Sequence, residues 1–240
     1  MNTANFIDLK WSVPVSDKAY SFGISSDRIK SINNEIYFTA DVDGYSIEQL
    51  IREFHIVIQN LNKTNTNGLN VNKDKKKIIL YIDSPGGTLK DCFKFVDFID
   101  IIKRVHNVHL VTVCTGMVAS AATIMAIVGD ERYVTENVTC MIHELFGGTI
   151  GTYTQLSSGM KRLSIYHDKL INIYLSHNKN ISRNKIIDLL KNETWFTSKE
   201  YIENGFADDI YIKNEEVDDS YSDIEKYEKP RKRRHIRYSE

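Results

Sequence analysis

Several common signatures are missing from this sequence of 240 residues. Its three cysteines, Cys92, Cys114 and Cys140, show no C-x-x-C spacing and lie within apolar patterns. They therefore predict buried free thiols rather than a disulfide framework or a zinc site. The histidines form no H-x-x-x-H or H-E-x-x-H arrangement, so we expect neither a metal ion nor another cofactor.

Long apolar runs and strong net charge are also missing. The longest apolar run, residues 118–128, is too short to span a bilayer, and no basic start followed by an apolar core predicts a secretory signal. A net charge of −1 gives no general attraction to nucleic acid. We expect a soluble protein of a reducing compartment. The cytoplasm is the first choice, and an organellar stroma or matrix or the cytoplasm of a virus-infected host is the alternative.

Apolar patterns of strand and helix period alternate along most of the chain. This alternation predicts an α/β domain with a mostly parallel sheet. Strands are predicted at residues 35–42, 77–83, 109–116, 132–135 and 139–144, and helices at 45–61, 89–104, 120–129, 152–176, 182–191 and 198–205.

Composition divides the chain into three parts. Residues 1–34 show no clear period and predict an N-terminal arm or axial loop, residues 35–211 form the core domain, and residues 212–240 are predicted to be a charged tail without packed structure. The Asn- and Lys-rich stretch 60–77 predicts an exposed loop. The tail becomes strongly basic after residue 228. A solvated end is the plainer interpretation, and charge-driven binding of nucleic acid or an acidic partner is the alternative.

One serine stands between a predicted strand and a predicted helix. Ser120 ends the stretch GMVAS, but Ala119 and Ala121 flank it, so it lacks the G-x-S-x-G pattern of hydrolases. Small residues there can simply allow close helix packing. However, Gly86-Gly87 follows the preceding strand, and turns at the carboxyl ends of parallel strands meet in one crevice. Unpaired N–H groups at the start of a helix suit a nucleophile whose attack creates an oxyanion.

A histidine stands at a second strand end. His143 lies at the end of the predicted strand 139–144 and precedes the pair Gly147-Gly148. An isolated histidine is more often structural, so its interpretation as a base depends on Ser120. An imidazole base also needs an orienting acceptor, usually a carboxylate.

Four ordered motifs resemble the proteolytic subunit of Clp protease, ClpP, across roughly residues 35–211. The resemblance implies an α/β, ClpP/crotonase-type fold of repeated strand-strand-helix units with a protruding handle helix. It also implies a serine endopeptidase that cleaves unfolded polypeptides to short peptides. The motifs are IDSPGGTL, CTGMVASAATIMAIVG, MIHELFGGTIGT and WFTSKEYIENGFAD.

The resemblance also implies roles for particular residues. Ser120 corresponds to the nucleophile and His143 to the general base, and the N–H groups of Gly87 and Ala121 correspond to the oxyanion hole. Gly147 and Gly148 match the segment that holds extended substrate peptide and through which rings dock.

The third catalytic position departs from the family's pattern. Counting back from Glu200 and Gly205 places Asn192-Glu193 where the family has an Arg-Asp pair. Glu193 is the expected orienting acid, and Asp188 is the second candidate. A solvated surface charge is the third interpretation of Glu193.

The resemblance finally implies an assembly. Heptameric rings, stacked in pairs, would be fed with unfolded protein by a Clp-type AAA+ unfoldase, since the chain has no G-x-x-x-x-G-K-[ST] loop of its own. Asn192 replaces an arginine that helps to pair the rings, so that link must be weaker or replaced. The alternatives are a catalytically weak or inactive structural subunit of a mixed ring, and a phage-type protease that processes capsid or scaffold proteins.

Overall fold

The structure is a computed structural model that describes residues 28–65 and 75–212. The predicted arm up to residue 27, part of the predicted Asn/Lys-rich loop and nearly all of the predicted tail lie outside these residues. The strands are β1 (Ile29–Ile32), β2 (Glu35–Phe38), β3 (Lys76–Ser84), β4 (Val108–Ala119), β5 (Glu131–Val134), β6 (Thr139–Ile142), β7 (Thr194–Thr197) and β8 (Asp209–Ile210). The helices are α1 (Gly44–Asn65), α2 (Leu89–His106), α3 (Ala121–Ile127), α4 (Tyr153–His177), α5 (Arg183–Lys191) and α6 (Ser198–Glu203).

A mixed sheet organises these elements. Its main path runs β1-β2-β3-β4-β5-β8, and β6 leaves this path by pairing with the far end of β4 and with β7. The pairs β2–β3, β3–β4, β4–β5, β4–β6 and β5–β8 are parallel, whereas β1–β2 and β6–β7 are antiparallel. The predicted α/β fold with a mostly parallel sheet is confirmed.

Alternation of side chains along β3 sets the position of the core. Ile78, Leu80 and Ile82 are buried on one face, while Tyr81 on the other face is only half-buried. The nearly continuous apolar centre of this strand is typical of burial on both faces, but Tyr81 stacks on Tyr37 of β2 at 4.8 Å and stays half-buried. Helix α1 packs against α2, α2 packs against α3, and α3 packs against α4.

A bulge carries β4 past its predicted end at residue 116. Cys114 pairs with Ile82 and Val118 pairs with Ser84, so three residues of β4 lie opposite Asp83 alone. Gly116 accommodates the bulge with a φ of 54°. The strand continues to Ala119 and delivers the chain directly to Ser120.

Local side-chain caps fix where the later helices begin. Thr152 and Gln155 form a capping box at the start of α4, and Thr197 and Glu200 form another at the start of α6. Gly205 follows α6 with a φ of 76°, as expected for a residue that ends a helix.

Two predicted boundaries need correction. The sheet begins with β1 at Ile29, inside the segment assigned to the N-terminal arm. This strand was not predicted because only Ile29 is buried and its residues show no clear apolar period. Helix α1 continues to Asn65 and β3 begins at Lys76, so both ends of the predicted loop 60–77 belong to regular structure.

The long helix α4 has two different halves. From Tyr153 to Gly159 nearly every residue is exposed, whereas Leu170, Ile171 and Tyr174 near the other end are buried. The helix is therefore anchored in the core at its C-terminal half, and its N-terminal half lies at the surface. Within residues 28–65 and 75–212, no helix is both long and apolar enough to cross a lipid bilayer.

Candidate active site

Ser120 occupies the single residue between β4 and α3. Its φ of 54° and ψ of −127° lie in a region that residues with a side chain seldom adopt. Two backbone hydrogen bonds hold this geometry: the Ser120 N–H donates to the Met141 carbonyl at 2.8 Å, and the Thr123 N–H donates to the Ser120 carbonyl at 3.0 Å. The side chain is half-buried and reaches the surface at the turn.

His143 stands beside this serine because their strands pair in parallel. Ala119 of β4 pairs with Met141 of β6, so the residues just beyond both strands come together. The His143 Nε2 atom lies 2.7 Å from the Ser120 Oγ atom. Burial lowers the pKa of His143 below its ordinary value, and the negative charge of Glu193 opposes this shift. The imidazole is therefore neutral at neutral pH and able to accept a proton from the serine.

The glycine pair after β3 lies against the serine turn. A side chain on Gly86 would place its Cβ 2.7 Å from the Ser120 Cβ and 2.9 Å from the Ala121 nitrogen. Gly86 has a φ of 95°, a second reason why only glycine fits. The turn therefore brings its backbone into direct contact with Ser120 and Ala121.

The orientation of the Gly87 N–H follows from the bonds on either side of it. The Val42 N–H donates to the Gly86 carbonyl at 2.7 Å, and the Thr88 N–H donates to the Val42 carbonyl at 2.7 Å. Because the Gly86–Gly87 peptide is trans, its N–H points away from Val42. The Ala121 N–H is at the first position of α3, where no helical acceptor is present. Gly87 and Ala121 therefore each place a backbone N–H donor in the surroundings of the Ser120 turn.

The two candidate acids differ in their relation to His143. Ile142 of β6 pairs with Thr194 of β7, so Glu193 comes opposite His143 at the next position. Glu193 has a φ of 46°, so its backbone departs from the pairing of β6 with β7, and its side chain is exposed. In the part of the chain that the structure describes, its charge acts on His143 but no hydrogen bond joins the two side chains.

Asp188, the second candidate acid, lies on α5. Its side chain is exposed, and the Asn192 Nδ2 group donates to its backbone carbonyl at 2.8 Å. It contributes nothing to the pKa shift of His143, whereas Glu193 does. Of the two carboxylates, Glu193 is the one whose charge reaches the imidazole.

The segment that follows His143 runs beside the N-terminal half of α4. A side chain on Gly147 would place its Cβ 3.0 Å from the Leu163 Cδ2 atom, while Gly148 faces open space. A cavity of about 250 Å³ opens between this segment and the helix. Its lining residues are Glu144, Leu145, Met160, Leu163, Ser164 and His167.

Comparison with known proteins identifies the family. The sequence profile described as Clp protease matches residues 43–214. Proteins named "ATP-dependent Clp protease proteolytic subunit" from the Hungary19A-6 and CGSP14 strains of Streptococcus pneumoniae are each 30% identical over 150 residues, which cover 61% of this chain and 74% of each relative. The chain belongs to the Clp protease family. Membership in the Clp protease family assigns it to the peptidases, and the ClpP-type fold agrees with the resemblance noted in the sequence.

The cysteines of this Clp protease family member lie away from its surface. Cys92, Cys114 and Cys140 are free and buried, as predicted. Burial raises the pKa of the Cys92 thiol, whose Sγ atom donates to the Ala121 carbonyl at 3.2 Å. The Cys92 thiol therefore stays protonated, and all three cysteines contribute to packing of the core. In the described ranges, no group of three His, Cys, Asp or Glu side chains is placed to hold a metal ion.

Sequence reasoning missed two contacts near the serine. The Asp83 Oδ1 atom accepts a hydrogen bond from the Met117 N–H in the β4 bulge at 3.1 Å. The Thr123 hydroxyl meets the Tyr174 hydroxyl at 2.6 Å, across 51 positions of sequence. Gly116 was a sequence signal for the first contact, because a glycine inside an apolar strand often marks a bulge. No sequence signal indicated the second, because threonine and tyrosine at such separation carry no pattern.

Proposed function

We propose that this protein is a serine endopeptidase of the ClpP type. The observation that carries the proposal is the 2.7 Å contact between His143 Nε2 and Ser120 Oγ. A neutral imidazole at this distance is within reach of the proton that a serine nucleophile must lose.

The proposed reaction uses this pair twice. His143 removes the Ser120 proton as the oxygen attacks the peptide carbonyl, and the N–H groups of Gly87 and Ala121 bind the oxyanion. His143 then protonates the leaving amine, and a water molecule hydrolyses the acyl-enzyme by the same steps in reverse order. Each oxyanion donor in such a site is typically worth about 2.7–4 kcal/mol of barrier.

An extended peptide is the substrate that the main chain suits best. The Gly86–Gly87 and Gly87–Thr88 peptide groups pair with Val42 on one side, which leaves the N–H and C=O of Gly87 directed to the other side. A substrate strand there would be held by main-chain hydrogen bonds, and Gly147-Gly148 would flank it on the side of α4. Such binding tolerates many side-chain sequences, as degradation of unfolded proteins requires.

Assembly and partner follow from the family. The relatives from S. pneumoniae are named as proteolytic subunits of an ATP-dependent protease. We infer that this chain likewise forms heptameric rings, stacked in pairs, that receive unfolded protein from a Clp-type AAA+ ATPase, and that it does so in the cytoplasm. This sequence has no phosphate-binding G-x-x-x-x-G-K-[ST] motif, so any ATP dependence would come from that partner.

Labelling with a fluorophosphonate probe tests the proposed chemistry. The purified protein should gain the mass of one probe per chain and should hydrolyse an unfolded model protein. Ser120→Ala should lose both properties and keep its thermal unfolding temperature. An unlabelled wild-type protein, or undiminished labelling of Ser120→Ala, would contradict the assignment of the nucleophile.

A weakly active or inactive subunit is the second candidate, favoured by one observation. Glu193 is exposed and makes no hydrogen bond to the His143 ring among the described residues. A subunit of this kind would assemble with active partner subunits but would label slowly or not at all. Labelling of this chain alone, at a rate that falls when Glu193 is replaced, would exclude this candidate.

A further inference from the structure

The carbonyl of Ser120 is held by the side chain of Thr123 as well as by its backbone. The Thr123 N–H donates to this carbonyl at 3.0 Å, and the Thr123 Oγ1–H donates to it at 2.6 Å. Both bonds act on the residue whose φ of 54° and ψ of −127° lie in a strained region. A strained backbone of this kind persists only when its surroundings fix it from several sides.

The Thr123 hydroxyl has a second partner on α4. Its Oγ1 atom lies 2.6 Å from the Tyr174 hydroxyl oxygen. A threonine hydroxyl has one proton, and that proton is directed to the Ser120 carbonyl, so the Tyr174 O–H must be the donor to Oγ1. The result is a directed chain of hydrogen bonds from Tyr174 through Thr123 to Ser120. In such a chain each bond polarises and strengthens the next.

Water does not compete for this chain. Thr123 is fully buried, and Tyr174 is only 1% exposed. Burial raises the pKa of Tyr174, so its hydroxyl keeps the proton that it donates. The Tyr174 ring is fixed in turn by an edge-to-face contact with Phe206 at 5.7 Å.

We propose that Tyr174 is a positioning residue for the nucleophile: through Thr123 it holds the Ser120 backbone in the conformation that keeps Oγ within reach of His143. This inference rests on the proposed function, since it concerns the geometry of that same site. Among the described residues, the hydrogen bond of the Tyr174 hydroxyl is to Thr123, so its effect on Ser120 passes through Thr123. Without the Tyr174 hydroxyl, the turn gains freedom to relax and the Ser120 Oγ atom spends less time in line with Nε2.

A tyrosine of matched environment provides the control. Tyr201 is fully buried, and its ring stacks on the same Phe206 at 5.1 Å. Its hydroxyl has no hydrogen-bond partner within the described residues. Tyr174→Phe and Tyr201→Phe therefore remove the same atom from adjoining places in one core, and only the first removes a hydrogen bond to the serine turn.

The test compares four variants by kcat and KM for a peptide substrate, by the rate constant of fluorophosphonate labelling and by thermal unfolding. Tyr174→Phe should lower kcat and the labelling rate by about threefold to tenfold with KM nearly unchanged, as loss of one buried hydrogen bond predicts. Thr123→Val removes both hydrogen bonds of the Thr123 hydroxyl and should lower kcat and the labelling rate at least as much. Thr123→Ser keeps the hydroxyl and should retain most of the activity. Tyr201→Phe should match the wild-type protein.

The outcomes separate this inference from the proposed function. A wild-type protein that is labelled at Ser120, together with an unchanged kcat in Tyr174→Phe, would overturn the inference alone. Equal losses in Tyr174→Phe and Tyr201→Phe would also overturn it, because they would indicate general loosening of the core. If Tyr174→Phe does not fold, the contrast between Thr123→Ser and Thr123→Val decides in its place. A wild-type protein without Ser120-dependent labelling would overturn the proposed function and this inference together.

Discussion

At the scale of single residues, the protonation state of His143 depends on two opposing features of its surroundings. Burial disfavours the imidazolium and lowers its pKa, while the charge of Glu193 favours the imidazolium. The net shift is downward, so the neutral base persists to lower pH than for an ordinary histidine. In the pH profile of kcat/KM, the acid limb, where kcat/KM rises with pH, should accordingly have its midpoint below 6.5, the usual pKa of histidine.

Replacing Glu193 should move this limb in a defined direction. Glu193→Gln removes a charge that raises the pKa of His143, so the acid limb should shift to lower pH while the maximal rate falls because the ring loses its orienting charge. The measurement is kcat/KM against pH at low ionic strength, since Glu193 is exposed and salt screens its field. Glu144→Gln is the control, because this exposed neighbour does not contribute to the shift of His143.

If both the limb and the maximal rate stay unchanged in Glu193→Gln, this residue has no part in the mechanism. If Glu144→Gln gives the same shift as Glu193→Gln, the effect reflects total charge around the site rather than one orienting carboxylate.

The sequence identified Ser120 and His143 because both follow strands that end at one edge of a parallel sheet, and the ordered motifs supported this placement. The resemblance to the family gave Glu193 as the candidate acid, and the pairing of β6 with β7 brings it opposite His143. What the sequence could not show was whether the longer side chain reaches the ring, since that depends on the φ of 46° at Glu193, a local departure from the strand. The contact of Tyr174 with Thr123 could not be predicted from the sequence, because it forms only when α3 and α4 pack together.

At the scale of elements, the bulge in β4 controls where the nucleophile is delivered. Asp83 lies opposite three residues of β4, accepts the Met117 N–H, and covers Gly116 so closely that an added Cβ there would lie 2.8 Å from its carboxylate. The bulge leaves the Met117 N–H without a strand partner, and Asp83 supplies one.

Asp83→Ala should therefore lower kcat by about twofold to fivefold and the free energy of unfolding by about 1 kcal/mol, the usual value of one hydrogen bond. Asp83→Asn keeps an acceptor oxygen at the same place and should behave nearly as the wild-type protein. Kinetic assays and urea unfolding provide the measurements. Equal effects of the two replacements would show that the charge of Asp83, rather than its hydrogen bond, is what matters.

The elements that the sequence pattern missed share a physical cause. Strands β1 and β7 each have a single buried residue, and β8 has only two residues in all, so none of them offers enough alternation to form a signal. Helix α1 continues through polar residues to Asn65, because the apolar residues earlier in the helix already anchor it in the core. The long strands β3 and β4 were evident because they carry continuous apolar centres.

At the scale of the whole molecule, several exposed apolar side chains lie on the segment after His143 and on the N-terminal half of α4. Ile150 is 82% exposed and Tyr153 is 86% exposed. Phe146 and Met160 lie in the same region, on the segment after His143 and on the N-terminal half of α4, and are also exposed. A group of exposed apolar side chains of this kind is typical of a protein contact.

If this surface joins subunits, Ile150→Asp together with Tyr153→Asp should convert the assembled particle to smaller species in sedimentation velocity. Burial of a charge in an apolar contact is unfavourable, which gives the direction of the effect. Thr154→Asp adds a charge to the same helix without removing an apolar side chain, and it should leave the sedimentation coefficient unchanged. A particle of unchanged size in the double variant would remove this surface from the assembly.

The ends of the sheet bear on how the protein behaves when it is concentrated. In the part of the chain that the structure describes, the sheet stops at β1, β7 and β8, which have four, four and two residues. An unpaired strand edge is a template on which another chain can add as a strand and form an aggregate. A short edge offers few hydrogen bonds to such a chain. The nine and twelve residues of β3 and β4 lie inside the sheet with a neighbour on each side. If the protein holds unfolded, strand-forming chains as proposed, the described part of its sheet offers them few free edges, and we expect it to resist co-precipitation with its substrates.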